Sequence, residues 1–168
     1  IQSLAVEMAK STSDMTDGMY NVVSAFGAGE DSLGKLAINA RAATAGVATT
    51  TDAINLTSAV TKGYGDTTNA AVQKAADLAL LTVQLGQTTF PELAASVGKV
   101  TPLTNDLAVS QEELFGVLAT ATGVTGNAAE VSTQFRGILQ GLMVPTTDMT
   151  NLMQSMGFES GKAMVETL

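Results

Sequence analysis

Leu85 to Pro102 reads LGQTTFPELAASVGKVTP: a helix stop, a three-residue loop and a helix start. Gly86 supplies the stop. Thr89 is placed to cap the next helix, and Glu92, three residues on, can reach back to its backbone N–H, which completes a capping box. Pro91 falls in the first turn, where its missing N–H costs nothing. Phe90, Leu93, Ala94 and Val97 recur at helical spacing and form one apolar face. The stretch is therefore read as an αα-hairpin corner, with Pro102 ending or kinking the second helix. Its one Glu and one Lys offer no catalytic pair.

The same grammar extends in both directions. Downstream, Ser110 with Glu113 makes a second capping box, and Leu114, Val117, Leu118 and Ala121 follow on one face. Val131, Phe135, Ile138, Leu139 and Leu142 form the clearest amphipathic stripe. Pro145 breaks the chain before Met149, Leu152, Met153 and Met156, which close at Gly157. Upstream, Met15, Met19, Val22, Val23 and Phe26 lead to a stop at Gly27, where a left-handed C-terminal cap is expected. Leu33, Leu36, Ala37, Ala40 and Thr44 run to Gly46. A residue of Thr49–Thr51 caps a helix carrying Ala53, Leu56, Thr57 and Val60, and residues 62–66, KGYGD, break it. Thr67 or Thr68 opens the longest helix, through Val72, Ala75, Ala76, Ala79 and Val83 to Leu85. Strand alternation is nearly absent. The expectation is an all-α fold, a compact array of about seven to nine short amphipathic helices joined as helical hairpins. Residues 1–168 are read as a single helical module, and the start at Ile1 as the mark of an excerpt from a longer chain. Val47, Leu56 and Ala59 recur at the offset of Val109, Leu118 and Ala121, a faint echo of a duplicated hairpin.

Composition narrows the function. The 168 residues are 45% hydrophobic but only 4% aromatic, with no Trp. A core of Ala, Val, Leu and Met is expected, stabilised by many small contacts at about 25 cal/mol per Å² of buried apolar surface. Net charge is −8, and the eight basic residues are scattered singly, against a nucleic-acid-binding or anionic-lipid-binding patch. The chain has no Cys and no His, which removes disulfides, thiolate chemistry and the usual zinc sites. The longest uncharged stretch, 114–129, is shorter than a bilayer span.

Each chemical candidate has a plainer structural explanation. Glu112 and Glu113 sit at a helix start, where dipole and capping box account for both. Asp14 and Asp17 read as first-turn charges. GYG at 63–65 lacks the flanking apolar spans of an ion filter and reads as a C-terminal turn, with the Tyr64 ring packed and its hydroxyl wet. FGAGE at 26–30 has no Lys-Ser/Thr after it and no strand before it, so it is not a phosphate loop. NLT at 55–57 fits a glycosylation pattern but lies mid-helix. Met143, Met149, Met153 and Met156 form a set soft enough to fit irregular or changing partners, though they are read first as gap-fillers in an aromatic-poor core. No catalytic, cofactor-binding or metal-binding residue is assigned, and no cofactor is expected.

The order of these motifs resembles the core region of phage tail tape measure proteins. One stretch has Thr88–Thr89, Glu92–Leu93–Ala94, Ser96, Gly98–Lys99–Val100 and Pro102. A second has Val109–Ser110, Glu112–Leu114, Leu118–Ala119 and Thr122. A third has Thr133, Arg136, Gly137, Leu139, Leu142 and Pro145. Met19–Tyr20 and Ser24–Ala25 fit the family's early helices, so the resemblance spans about residues 8–158. FGAGE is a departure confined to a loop. The resemblance implies a structural, non-enzymatic tail protein that sets tail tube length and takes part in genome ejection. It also implies partners: tail tube, tail tip or baseplate, tail assembly chaperones, other copies in the tail lumen, and the host membrane on ejection. Sequence-specific nucleic-acid binding is not implied. The implied location is the tail tube lumen and tip of the virion, with assembly in the host cytoplasm. The alternative is a membrane-active helical delivery protein that forms a channel for DNA. Because a ruler should be extended and this segment reads as folded, the measuring portion is expected outside these residues.

Overall fold

Among the described residues eight helix starts carry a side-chain cap, supplied by Ser11, Thr49, Thr68, Thr89, Ser110, Asn127, Thr146 and Ser160, and these fix most of the element boundaries. The computed structural model describes residues 2–167 and contains, among them, eleven α-helices and no strand. They are α1 (Gln2–Glu7), α2 (Thr12–Phe26), α3 (Ser32–Ala45), α4 (Thr50–Gly63), α5 (Asn69–Leu85), α6 (Phe90–Ser96), α7 (Thr101–Asp106), α8 (Gln111–Thr125), α9 (Ala128–Met143), α10 (Thr147–Ser155) and α11 (Gly161–Thr167). The all-α expectation holds, with more helices than the seven to nine read from sequence. The surplus comes from short α1 and α11, and from a 3₁₀ turn at Val97–Lys99 that divides α6 from α7. Pro102 accordingly does not end a helix; it sits in the first turn of α7, the position where proline is tolerated.

Three capping boxes form, at Thr49–Asp52, Thr89–Glu92 and Ser110–Glu113. The corner at residues 86–89 exists, yet α6 packs chiefly on α4 and α9 rather than back along α5. Gly27 does take positive φ (+85°), whereas Gly46 and Gly86 do not (−88° and −97°). Close approach explains those two: a Cβ on Gly46 would lie 2.7 Å from the Phe90 ring, and one on Gly86 would collide with the Thr122 hydroxyl.

α4 is the hub, touching α2, α3, α5, α6, the 3₁₀ turn and α7. Around it lies the main core, with Leu56, Val60, Ala75, Ala79, Leu93, Leu114 and Leu118. Contrary to the composition-based expectation, Phe90 and Phe115 are the largest fully buried side chains. A second cluster joins Met15, Val22, Leu36 and Ile54 where α2 and α3 meet α4. Several sequence stripes are rotated: Leu33, Val117 and Ile138 are exposed, while Lys35 and Asn39 are buried. A helix between two neighbours buries a wider arc than its apolar residues mark. On α3 that arc admits Asn39, which donates to the Lys35 carbonyl and accepts from Thr57.

The internal echo is visible in the fold at a register one residue from the sequence match. Val47 and Ala108 occupy the same left-handed corner, Thr49 and Ser110 the same cap, and Asp52 and Glu113 the same box position.

Candidate functional site

The acidic residues resolve into structural roles. The Glu113 carboxylate accepts the Ser110 N–H at 2.7 Å and the Ser110 hydroxyl at 2.8 Å. Those bonds hold its carboxyl below the ordinary carboxylate range, as the Thr89 N–H does for Glu92. Glu112 does more than answer the helix dipole: its carboxylate lies 2.7 Å from Lys74 Nζ, tying α8 to α5 and lowering its own pKa. Asp14 accepts the Thr50 hydroxyl at 2.6 Å, joining α2 to α4, and Asp17 is exposed. None of these carboxylates faces another across a cleft.

Tyr64 corrects its sequence reading. Its hydroxyl is not left to water; it lies 2.9 Å from the Thr104 hydroxyl and 3.0 Å from the Val109 carbonyl. Burial raises its pKa above the usual tyrosine value. Gly65 takes positive φ (+75°), as a C-terminal turn requires. FGAGE closes the turn after α2, where the Gly29 N–H donates to Ser32. Asn55–Thr57 lies within α4, with Thr57 fully buried. Among the described residues no group of three or more His, Cys, Asp or Glu side chains could hold a metal ion. No described helix is long and apolar enough to cross a membrane.

What the fold does present is apolar surface. Of the four methionines read as gap-fillers only Met153 fills the core; Met143, Met149 and Met156 are exposed, as are Val144 and Leu152. The gap-filling reading therefore fails for three of the four. α10 buries Met153 alone and turns the rest of its apolar side outward. A second exposed strip runs along the outer side of α8. Glu113, Gly116, Val117, Thr120, Ala121 and Val124 line an open, mostly apolar trough of about 520 Å³, with Val124 86% exposed. Sequence reading placed Val117 on the core face instead; Ala121, read the same way, is half-buried and does pack against the main core. The available signal was the uncharged stretch 114–129, too apolar for a helix with one wet face. Exposed apolar strips on a folded chain are candidate contact surfaces.

No match is found among curated proteins or solved structures. Over residues 2–168 the chain matches the phage-related minor tail protein family, and it belongs to that family, a structural component of the phage tail.

Proposed function

We propose that this chain is the folded core module of a tail tape measure protein, acting in tail length determination and genome ejection by shape and contact rather than by catalysis. The observation that carries the reading is the ordered series of motifs from Thr88 to Pro145, in which both sequence-read capping boxes stand at helix starts. Membership of the minor tail protein family supports the broader role. On this reading the partners are the tail tube, the tail tip or baseplate, assembly chaperones and other copies in the tail lumen. The longest described helix, α5, has 17 residues, about 26 Å at 1.5 Å per residue. Such a module is too short to be the ruler, so length is set by helical segments flanking it.

The test is tail length, measured by electron microscopy on phage carrying altered versions of the parent gene. Deletions in the flanking helices should shorten tails by about 1.5 Å per residue removed. Charged replacements of Val124 and Leu152 within the module should lower the yield of assembled tails without changing their length. Unchanged length after flank deletion sinks the tape-measure reading. The alternative, a membrane-active delivery protein, is favoured by the exposed Val144, Leu152 and Met156. Leakage of dye from lipid vesicles by the purified chain would move the assignment toward it.

A further inference from the structure

Five helix ends close with the same six-residue hydrogen bond, from Lys10, Ala48, Asp66, Val109 and Phe158 N–H back to the carbonyls of Ala5, Ala43, Thr61, Thr104 and Met153. This Schellman closure needs a left-handed residue, ordinarily glycine. Gly65 and Gly157 meet the need, but Ala9, Val47 and Ala108 hold positive φ (52°, 51° and 59°) with a Cβ in place. The left-handed form costs an L-residue about 1–2 kcal/mol, and for a β-branched one it is an outlier. Val47 is 90% exposed, so its side chain gains no packing that would offset the strain.

Two further observations converge on these corners. First, the carbonyl directly after each of the two inner strained residues is held from a distance. Lys10 Nζ donates to Ala48 O at 3.0 Å, and the Tyr64 hydroxyl donates to Val109 O at 3.0 Å. Each latch comes from a neighbouring corner, Lys10 beside Ala9 and Tyr64 beside Gly65. Second, the buried face keeps its helical phase through the bend. Leu36, Ala43, Thr50 and Thr57 are all buried at seven-residue intervals across the Val47 corner. Val97, Thr104, Gln111 and Leu118 do the same across Ala108. A corner that served only to turn the chain would not need the phase of one continuous helix on both sides.

We propose that Val47 and Ala108 are latched joints: each corner can straighten, fusing α3 with α4 into one helix (32–63) and α7 with α8 into another (101–125). Straightening relieves the left-handed residue and brings the buried faces of the two helices into one continuous line, Leu36, Ala43, Thr50 and Thr57 at the first joint. Lys10 and Tyr64 hold the bent state. The inference does not depend on the tape-measure reading.

The native chain has no cysteine, so spin labels can be placed at Leu33→Cys and Lys62→Cys on the full 168-residue protein. A straight joint separates these positions by about 44 Å. Pulsed electron resonance should find one short distance in the otherwise native chain. Removing the latch and the α4 cap together (Lys10→Met with Thr49→Ala) should bring in a component near that longer distance. Adding Val47→Gly, which relaxes the bend, should cut that component about tenfold. A single short distance in the Lys10→Met/Thr49→Ala chain overturns the proposal. So does a long component that Val47→Gly leaves unchanged, or a broad distribution with lost helical circular dichroism, which would mean plain unfolding.

Discussion

Glycines in this chain serve opposite ends, and single substitutions should separate them. Gly46 is seated against the Phe90 ring, and Gly161 against the Leu142 backbone. Gly116 and Gly137 lie mid-helix, exposed, with nothing near where a Cβ would stand. Gly46→Ala should therefore cost about 1–3 kcal/mol through overpacking. Gly116→Ala or Gly137→Ala should stabilise by about 0.5–1 kcal/mol, since glycine inside a helix is disfavoured by roughly that much. Urea unfolding midpoints would show the opposite signs. If Gly116→Ala destabilises, the trough on α8 is not open space. Val47→Gly belongs to the same scale. Relief of the left-handed strain, less the added freedom of the unfolded chain, should raise stability by about 1 kcal/mol, a rise of about 2–4 °C in melting temperature.

At the scale of elements, helix starts govern both stability and its dependence on acid. Thr49→Ala, Thr89→Ala and Ser110→Ala should each cost about 1 kcal/mol. Glu92, Glu112 and Glu113 have folded-state pKa values below the ordinary 4.5, and Asp66 lies below 3.8. A carboxyl depressed on folding contributes stability above its unfolded pKa and loses it as pH falls through the folded value. Melting temperature should hold steady down to about pH 5 and decline below 4.5. Ser110→Ala should flatten that decline only in part, because the Glu113 carboxylate keeps the Ser110 N–H, the larger cause of its lowered pKa, and loses only the hydroxyl. An unchanged acid profile in Glu113→Gln, which removes the titrating group itself, would rule out this box as a source. These starts were legible in sequence because a cap is a local transaction between residues three apart: Thr89 with Glu92 and Ser110 with Glu113 needed no knowledge of the fold. Buried faces were less legible. Val117 and Ile138 sit at core spacing yet face outward, while Asn39 and Lys35 go inward, since the neighbours of each helix decide which arc is covered. The exposed apolar face of α10 was hidden for the same reason. Its methionines carry no mark distinguishing core from surface: Met153 goes inward, and only the absence of a helix above Met149 leaves that one exposed.

Across the whole molecule, burial is uneven, and local stability should follow it. α4 buries Thr50, Ala53, Ile54, Leu56, Thr57, Val60 and Thr61, and is walled by neighbours on nearly every side. α10 buries Met153 alone and α11 only Gly161, while α1 buries only Ala5. Opening α10 and α11 sacrifices little apolar contact, at about 25 cal/mol per Å², whereas opening α4 dismantles both hydrophobic clusters, since Leu56 and Val60 belong to one and Ile54 to the other. Native-state amide exchange should therefore be slowest in α4 and the facing turns of α5 and α8, approaching the global unfolding free energy. Exchange in α10 and α11 should proceed through small openings that denaturant barely affects. A core substitution such as Leu56→Ala, costing about 2–5 kcal/mol, should speed exchange in α4 while leaving α10 unchanged. Equal protection of α10 and α4 would mean that the exposed methionine face is already covered, by another copy of the chain. The same gradient bears on how the tail protein works. The exposed apolar side of α10 lies on a helix that costs little to move, so on the proposed reading a tail partner docked there would reposition it without disturbing the core.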